Sequence, residues 1–200
     1  MKNYLLKFVT ISLVFLLFSC SEMDDYELSE TVFIEDPYFP GLPIYSEWGY
    51  NSFGAYIDRV EFISTNHELS SKIIIENDTL MMIMRGEYRN ETTDLVFYIP
   101  NITYDTYDDL LALDATSFDL NNPGIVVELK QGNTPALKLE LIDGTFSIKR
   151  AQYLFVDEEP RRVILSGVFK FQTFLNDEPI TVSNGRFDLG YNYDNFYKIE

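Results

Sequence analysis

Leu139-Glu140-Leu141-Ile142-Asp143-Gly144-Thr145-Phe146-Ser147-Ile148 alternates apolar and polar residues on both sides of an Asp-Gly dipeptide. Side chains in a strand alternate between its two faces, so a period of two marks a strand with one buried face. Asp-Gly suits the tight turn that matches strand twist. The stretch therefore predicts a hairpin pairing Leu141 with Phe146 and Leu139 with Ile148, with Glu140 and Ser147 on the opposite face. Ile180 to Leu189 repeats the pattern around Asn184-Gly185, pairing Val182 with Phe187 and Ile180 with Leu189. Thr181 and Asp188 then fall on the wet side. A third hairpin, Ile73 to Met84, turns at Asn77-Asp78. It pairs Ile75 with Leu80, Ile73 with Met82 and Ile74 with Met81, and its apolar faces call for a central position or a cover.

The same signal continues through the chain. Leu95 to Ile99 and Ile125 to Leu129 read as strands, as does the alternation Val163, Leu165, Phe169, Phe171. Asn176-Asp177-Glu178-Pro179 turns that strand back toward Ile180. Thr106-Tyr107-Asp108-Asp109 has capping-box spacing with acids in the first turn, which predicts one short helix burying Leu110, Leu111 and Leu113. The fold class is all-β: an antiparallel β-sandwich with one short helix, a barrel being the alternative.

The amino end is of another kind. Lys2 and Lys7 precede an apolar run from Phe8 to Phe18, about half of the ~20 residues that span a bilayer. Basic residues before a short apolar run describe a secretion signal. Leu17-Phe18-Ser19-Cys20 resembles the bacterial lipobox, with Phe18 bulkier than the residue usual at that position. Cys20 is the single cysteine, which rules out an internal disulfide. The resemblance implies a diacylglycerol on its sulfur and a further acyl chain on the new amino terminus, as in palmitate-bearing lipoproteins. Such chains tether a protein to a membrane without spanning it.

Residues 1–19 thus read as a lipoprotein signal peptide, 20–43 as a lipidated cysteine with an acidic, Pro-rich tether, and 44–200 as one β-rich domain. Ser21 to Asp36 holds seven acids, and no Lys or Arg lies between Lys7 and Arg59. So acidic a segment is expected to stay extended and hydrated. The formal net charge of −17 falls to −19 without the signal, whose two lysines leave 13 cations against 32 acids. This disfavours nucleic acid as a partner. With 16 Phe and 14 Tyr the chain has ample material for a core.

Three further stretches stand out: Tyr45-Ser46-Glu47-Trp48-Gly49-Tyr50-Asn51-Ser52-Phe53-Gly54-Ala55-Tyr56, Ser166-Gly167-Val168-Phe169-Lys170-Phe171 and Asn184-Gly185-Arg186-Phe187-Asp188. With the acidic tether they resemble outer-membrane lipoproteins of Bacteroides and other Bacteroidota built on a domain of unknown function. Glu22, Asp24 and Asp25 behind Cys20 resemble the export signal of that group. The resemblance implies a lipid-anchored protein on the outer membrane facing the exterior, and a β-rich fold. It carries no catalytic residue over.

Catalytic chemistry has little to stand on. His67, the only histidine, lies in a polar loop, and no zinc spacing or glycine-rich phosphate loop is present. Catalytic residues, cofactor-binding residues and metal ligands are each expected to be none. Bound calcium is the one cofactor considered. It would draw on Glu91, Asp94, Asp105, Asp108, Asp109, Asp114, Asp119 and Glu128, which follow one another without an intervening base. Trp48, Tyr50, Tyr104 and Tyr107 are the candidate ligand-facing aromatics, and Thr79 in Asp78-Thr79-Leu80 the candidate O-glycosylation site. These features point to a non-enzymatic surface module that binds glycan or protein and meets the membrane through its lipid. The alternatives are a polysaccharide-processing enzyme using two carboxylates and a fimbria-like structural subunit.

Overall fold

A computed structural model describes residues 30–65, 69–175 and 178–199. Cys20, the signal, Glu22, Asp24, Asp25 and His67 lie outside the described residues, as do Asn176 and Asp177. Among the described residues the fold is all-β, with one short helix and strands that pair antiparallel except for one pair. The strands are β1 (Ser52–Ile57), β2 (Val60–Ser64), β3 (Ser71–Glu76), β4 (Thr79–Tyr88), β5 (Glu91–Pro100) and β6 (Ser117–Asp119). They continue with β7 (Val126–Gln131), β8 (Leu137–Lys138), β9 (Glu140–Val156), β10 (Glu159–Leu175), β11 (Glu178–Tyr191) and β12 (Phe196–Ile199). All belong to one sheet of order β6-β9-β10-β11-β1-β2-β4-β5-β7-β8, with β3 on β4 and β12 parallel to β3.

The layers expected of a sandwich are the two halves of this single sheet, which curls into a half-barrel. Phe97 of β5 packs on Phe146 of β9 with ring centroids 4.6 Å apart and on Phe169 of β10 at 5.5 Å. Those strands are far apart in the sheet order, so the rings meet across its interior. Each such aromatic contact adds ~1 kcal/mol to what burial itself contributes.

The hairpin at Asn77-Asp78 has the expected register, Ile75 against Leu80 and Ile73 against Met82. Both turn residues have positive φ, as a type I′ turn requires. The other two hairpins are corrected. Residues 140–156 form one continuous strand, and so do 178–191; neither turns at its Asp-Gly or Asn-Gly. Phe146 pairs with Phe169, and Val182 with Phe171. The faces were legible but the partners were not. Alternation reports which side of a strand is buried, whereas pairing is settled by the whole length of a neighbouring strand.

Gly144 and Gly185, expected in turns, serve the curl together with Gly167. Gly144 stands opposite Phe171, Gly185 opposite Phe169 and Gly167 opposite Phe187; phenyl rings cover Gly185 and Gly167, while Gly144 lies against the Phe171 Cβ and backbone. A Cβ on Gly167 would lie 2.2 Å from the Ser147 carbonyl oxygen and 2.5 Å from Phe187 Cζ. The Asn184-Gly185 pair sits at a bulge, with Asn184 at φ 52°. Glycine and bulge are the devices by which a sheet bends sharply.

Residues 30–43 do not behave as a hydrated tether. Leu42 is fully buried, the Val32 N–H donates to the Tyr50 carbonyl, and Glu35 bridges to Pro43. Asp36 Oδ2 lies 2.5 Å from Arg186 Nη1, and the same guanidinium stacks 4.4 Å from the Phe39 ring centroid. The folded unit therefore begins by residue 30 rather than 44. The acidity that suggested a solvated tether is offset at Asp36 by a cation 150 residues away. The helix is a 3-10 segment, Tyr107–Leu113, whose Thr106 N–H donates to Asp109 Oδ2 at 2.9 Å. Its buried side is Tyr107, Leu110 and Leu113, with Leu111 only partly covered.

Gly167→Ala forces a methyl onto a backbone carbonyl and is expected to cost about 1–3 kcal/mol. Urea denaturation should show a lowered midpoint; an unchanged midpoint would remove close approach as the reason for this glycine.

Candidate functional site

Asp188 was expected on the wet face of β11. It is 1% exposed, because residues 46–50 fold over it. Its carboxylate accepts hydrogen bonds from Ser166 Oγ at 2.9 Å, from Ser46 Oγ, and from the backbone N–H groups of Trp48, Gly49 and Tyr50 at 3.1, 2.9 and 3.1 Å. A buried carboxylate is tolerated only when donors replace its lost water, and this nest of amides and hydroxyls does so.

Asn51 holds the other end of the same loop. It adopts φ 51°, a conformation Asn tolerates better than most residues. Its Oδ1 accepts from the Gly190 N–H at 3.0 Å and from Arg162 Nη1 at 3.4 Å, while its Nδ2 donates to the Glu30 carbonyl at 3.1 Å. Its own carbonyl accepts from Ser70 Oγ at 2.7 Å and Thr31 Oγ1 at 3.1 Å. Between the two anchors Trp48 is left 75% exposed. Tyr45, at the loop's start, donates to Glu47 Oε1 at 2.8 Å, and burial together with that carboxylate raises its pKa well above the usual phenol range.

Clefts of mixed polar and apolar lining lie about this loop. One, of about 250 Å³, is lined by Asn51, Ser70, Arg162, Asn192, Asp194 and Asn195 among others. Through Leu69 and Ser71 it adjoins a second of about 210 Å³ that reaches Lys72, Arg85 and Tyr197. Beyond the loop lie clefts of about 330 and 360 Å³, which share Thr145, Lys170 and Asn184. Along β10 the order is Arg162 in the first cleft, Ile164 and Ser166 beneath the loop, then Lys170 and Gln172. Trp48 belongs to the span between.

The four aromatics singled out from sequence do not form one platform. Among the described residues no ring contact joins them. Trp48 is exposed, Tyr50 half-buried, Tyr104 packed against the core, and Tyr107 only 8% exposed. Tyr107 instead supports Tyr193, meeting its ring edge-on at 4.8 Å. Tyr193 is 77% exposed beside Asn192 and Asp194 of the first cleft. The sequence reading missed it because nothing local distinguishes it from the other tyrosines in Tyr191-Asn192-Tyr193.

The acids considered for calcium are dispersed. Asp94 pairs with Arg85 at 2.7 Å, Asp105 pairs with Lys198, and Asp109 caps the helix. Backbone N–H groups of Thr106 and Asp105 hold the Asp109 carboxyl below its usual pKa. Asp114 accepts from the Ala151 N–H and lies 3.8 Å from Arg150, while Glu128 accepts from Tyr98 Oη, whose pKa burial and that carboxylate push up to about 12. Among the described residues no three His, Cys, Asp or Glu side chains gather in a metal-binding group. Thr79 opens β4 just past its turn, half-buried, with Oγ1 donating to the Asn77 carbonyl at 3.4 Å.

Asp188→Ala strands its ring of donors and is expected to cost about 3 kcal/mol or more. Chemical denaturation reads the loss, and proteolysis within residues 46–50 should accelerate. An unaltered loop would show that the carboxylate does not hold it. Comparison of the chain with protein-family models, with curated proteins and with solved structures finds no match.

Proposed function

We propose that this protein is a lipid-anchored, non-enzymatic module that displays a glycan-binding face at the outer surface of the outer membrane. The observation that carries the binding reading is the clamped loop: a single exposed tryptophan on a loop held by buried hydrogen bonds, near clefts that mix amide, hydroxyl and cationic side chains with apolar ones. An aromatic ring left in water on a rigid support suits stacking against a sugar ring, and amide and hydroxyl side chains suit its hydroxyl groups. Preorganisation matters because a loop already ordered loses little entropy on binding. The Asn-rich cleft beside Tyr193 extends the same chemistry. Its described lining holds one carboxylate, Asp194, whereas glycosidic hydrolysis by two carboxylates needs a second nearby. Among the described residues no helix is long and apolar enough to cross a membrane.

Trp48→Ala removes a surface side chain and should leave the denaturation midpoint within about 0.5 kcal/mol of wild type. On a glycan array the same variant should bind about fivefold more weakly, the scale of one aromatic contact. A blank array for the wild-type protein sinks the glycan reading. Separately, Cys20→Ala should abolish lipid labelling and membrane retention. Protease added to intact cells should remove the wild-type protein, and full protection would place it on the periplasmic side.

A further inference from the structure

The chain carries 15 Lys and Arg against 32 Asp and Glu, yet the clefts on either side of Trp48 reverse that ratio. Arg162, Lys72, Arg85, Lys170 and Arg186 line the four clefts, against Asp194 and Asp143. Arg85 is matched by Asp94, and Arg186 by Asp36. Lys72 and Lys170 make no ion pair among the described residues. Lys72 lines the cleft that adjoins, through Leu69 and Ser71, the one holding Asn51, and Lys170 lines the one that Tyr45 shares, so the clefts reached from either end of the loop each carry a lysine. Charges separated by more than about 8 Å are largely screened in physiological salt, so a docked ligand feels these local cations more than the distant acids.

We infer that the face takes an anionic polysaccharide, with carboxylate or sulfate groups at Lys72 and Lys170 and a sugar ring on Trp48 between them. The inference rests on the glycan reading and narrows it. Arg162 and Lys170 lie eight positions apart on β10, a span of about 26 Å at the rise of a strand. That span fits several sugar units rather than one, so the ligand is a polymer. Half-buried Lys72 loses part of its hydration where it stands, and an anion in the cleft replaces it with a charge-assisted hydrogen bond.

The test uses the full-length protein purified in detergent, with polygalacturonate and its carboxyl-reduced neutral form, and dextran sulfate against dextran. Carboxyl reduction removes both charge-assisted contacts and should weaken binding about a hundredfold, about tenfold for each. Lys72→Gln and Lys170→Gln should each weaken polygalacturonate binding about tenfold, the equivalent of one contact, with unchanged thermal midpoints. Lys130→Gln, an exposed lysine of β7 outside these clefts, should not. The dextran pair shows whether sulfate serves in place of carboxylate. Equal binding to charged and neutral forms overturns the anionic class while leaving a glycan module standing. Failure to bind either polyanion overturns it too, whatever neutral sugar the array returns. Equal loss in Lys130→Gln would reduce the effect to diffuse charge and overturn the site.

Discussion

A sheet of this length buries Phe97 against Phe146 and Phe169 only by bending until its halves face each other. The bend depends on the close approach of backbones at Gly167 and Gly185, where any side chain would strike a carbonyl oxygen. Phenylalanines from neighbouring strands cover the space those glycines leave, so curvature and core form from the same residues. Everything outside follows from that bend. The outer face of β10 and β11 becomes the ground on which residues 30–51 are laid.

Polar contacts join the burial of Leu42 in fixing this second layer. Asp188, Asn51 and the Asp36–Arg186 pair lie 139 to 150 residues from partners they hold. Removing one member of such a set leaves buried donors or charge without compensation, which is costly even when the intact pair contributes little net stability. Specificity of placement is what these contacts supply: they choose one position for a loop that burial of apolar area alone would leave free to slide. Trp48 is exposed because its neighbours are so thoroughly tied down.

The candidate face follows the same logic of segregation. Asp94 and Asp105 are paired with cations, Asp109 caps the helix and Glu128 is bonded to a tyrosine, while among the described residues Lys72 and Lys170 make no ion pair. A strongly acidic protein can thus hold a locally cationic strip.

The amino-acid sequence by itself determined the all-β class, the short helix with its Thr106–Asp109 cap and the Asn77-Asp78 hairpin with its register. Each depends on residues close in the chain, whose spacing or turn preference acts before any tertiary contact forms. It also marked Trp48, though not why that ring stays in water. Only the tertiary structure decided that Asp143-Gly144 and Asn184-Gly185 lie within strands, because pairing along whole strands outweighs a local turn preference. It likewise drew residues 30–43 onto the sheet, sank Tyr107 behind Tyr193 and buried Asp188. Each of those outcomes depends on a partner far along the chain, brought near only once the sheet has curled.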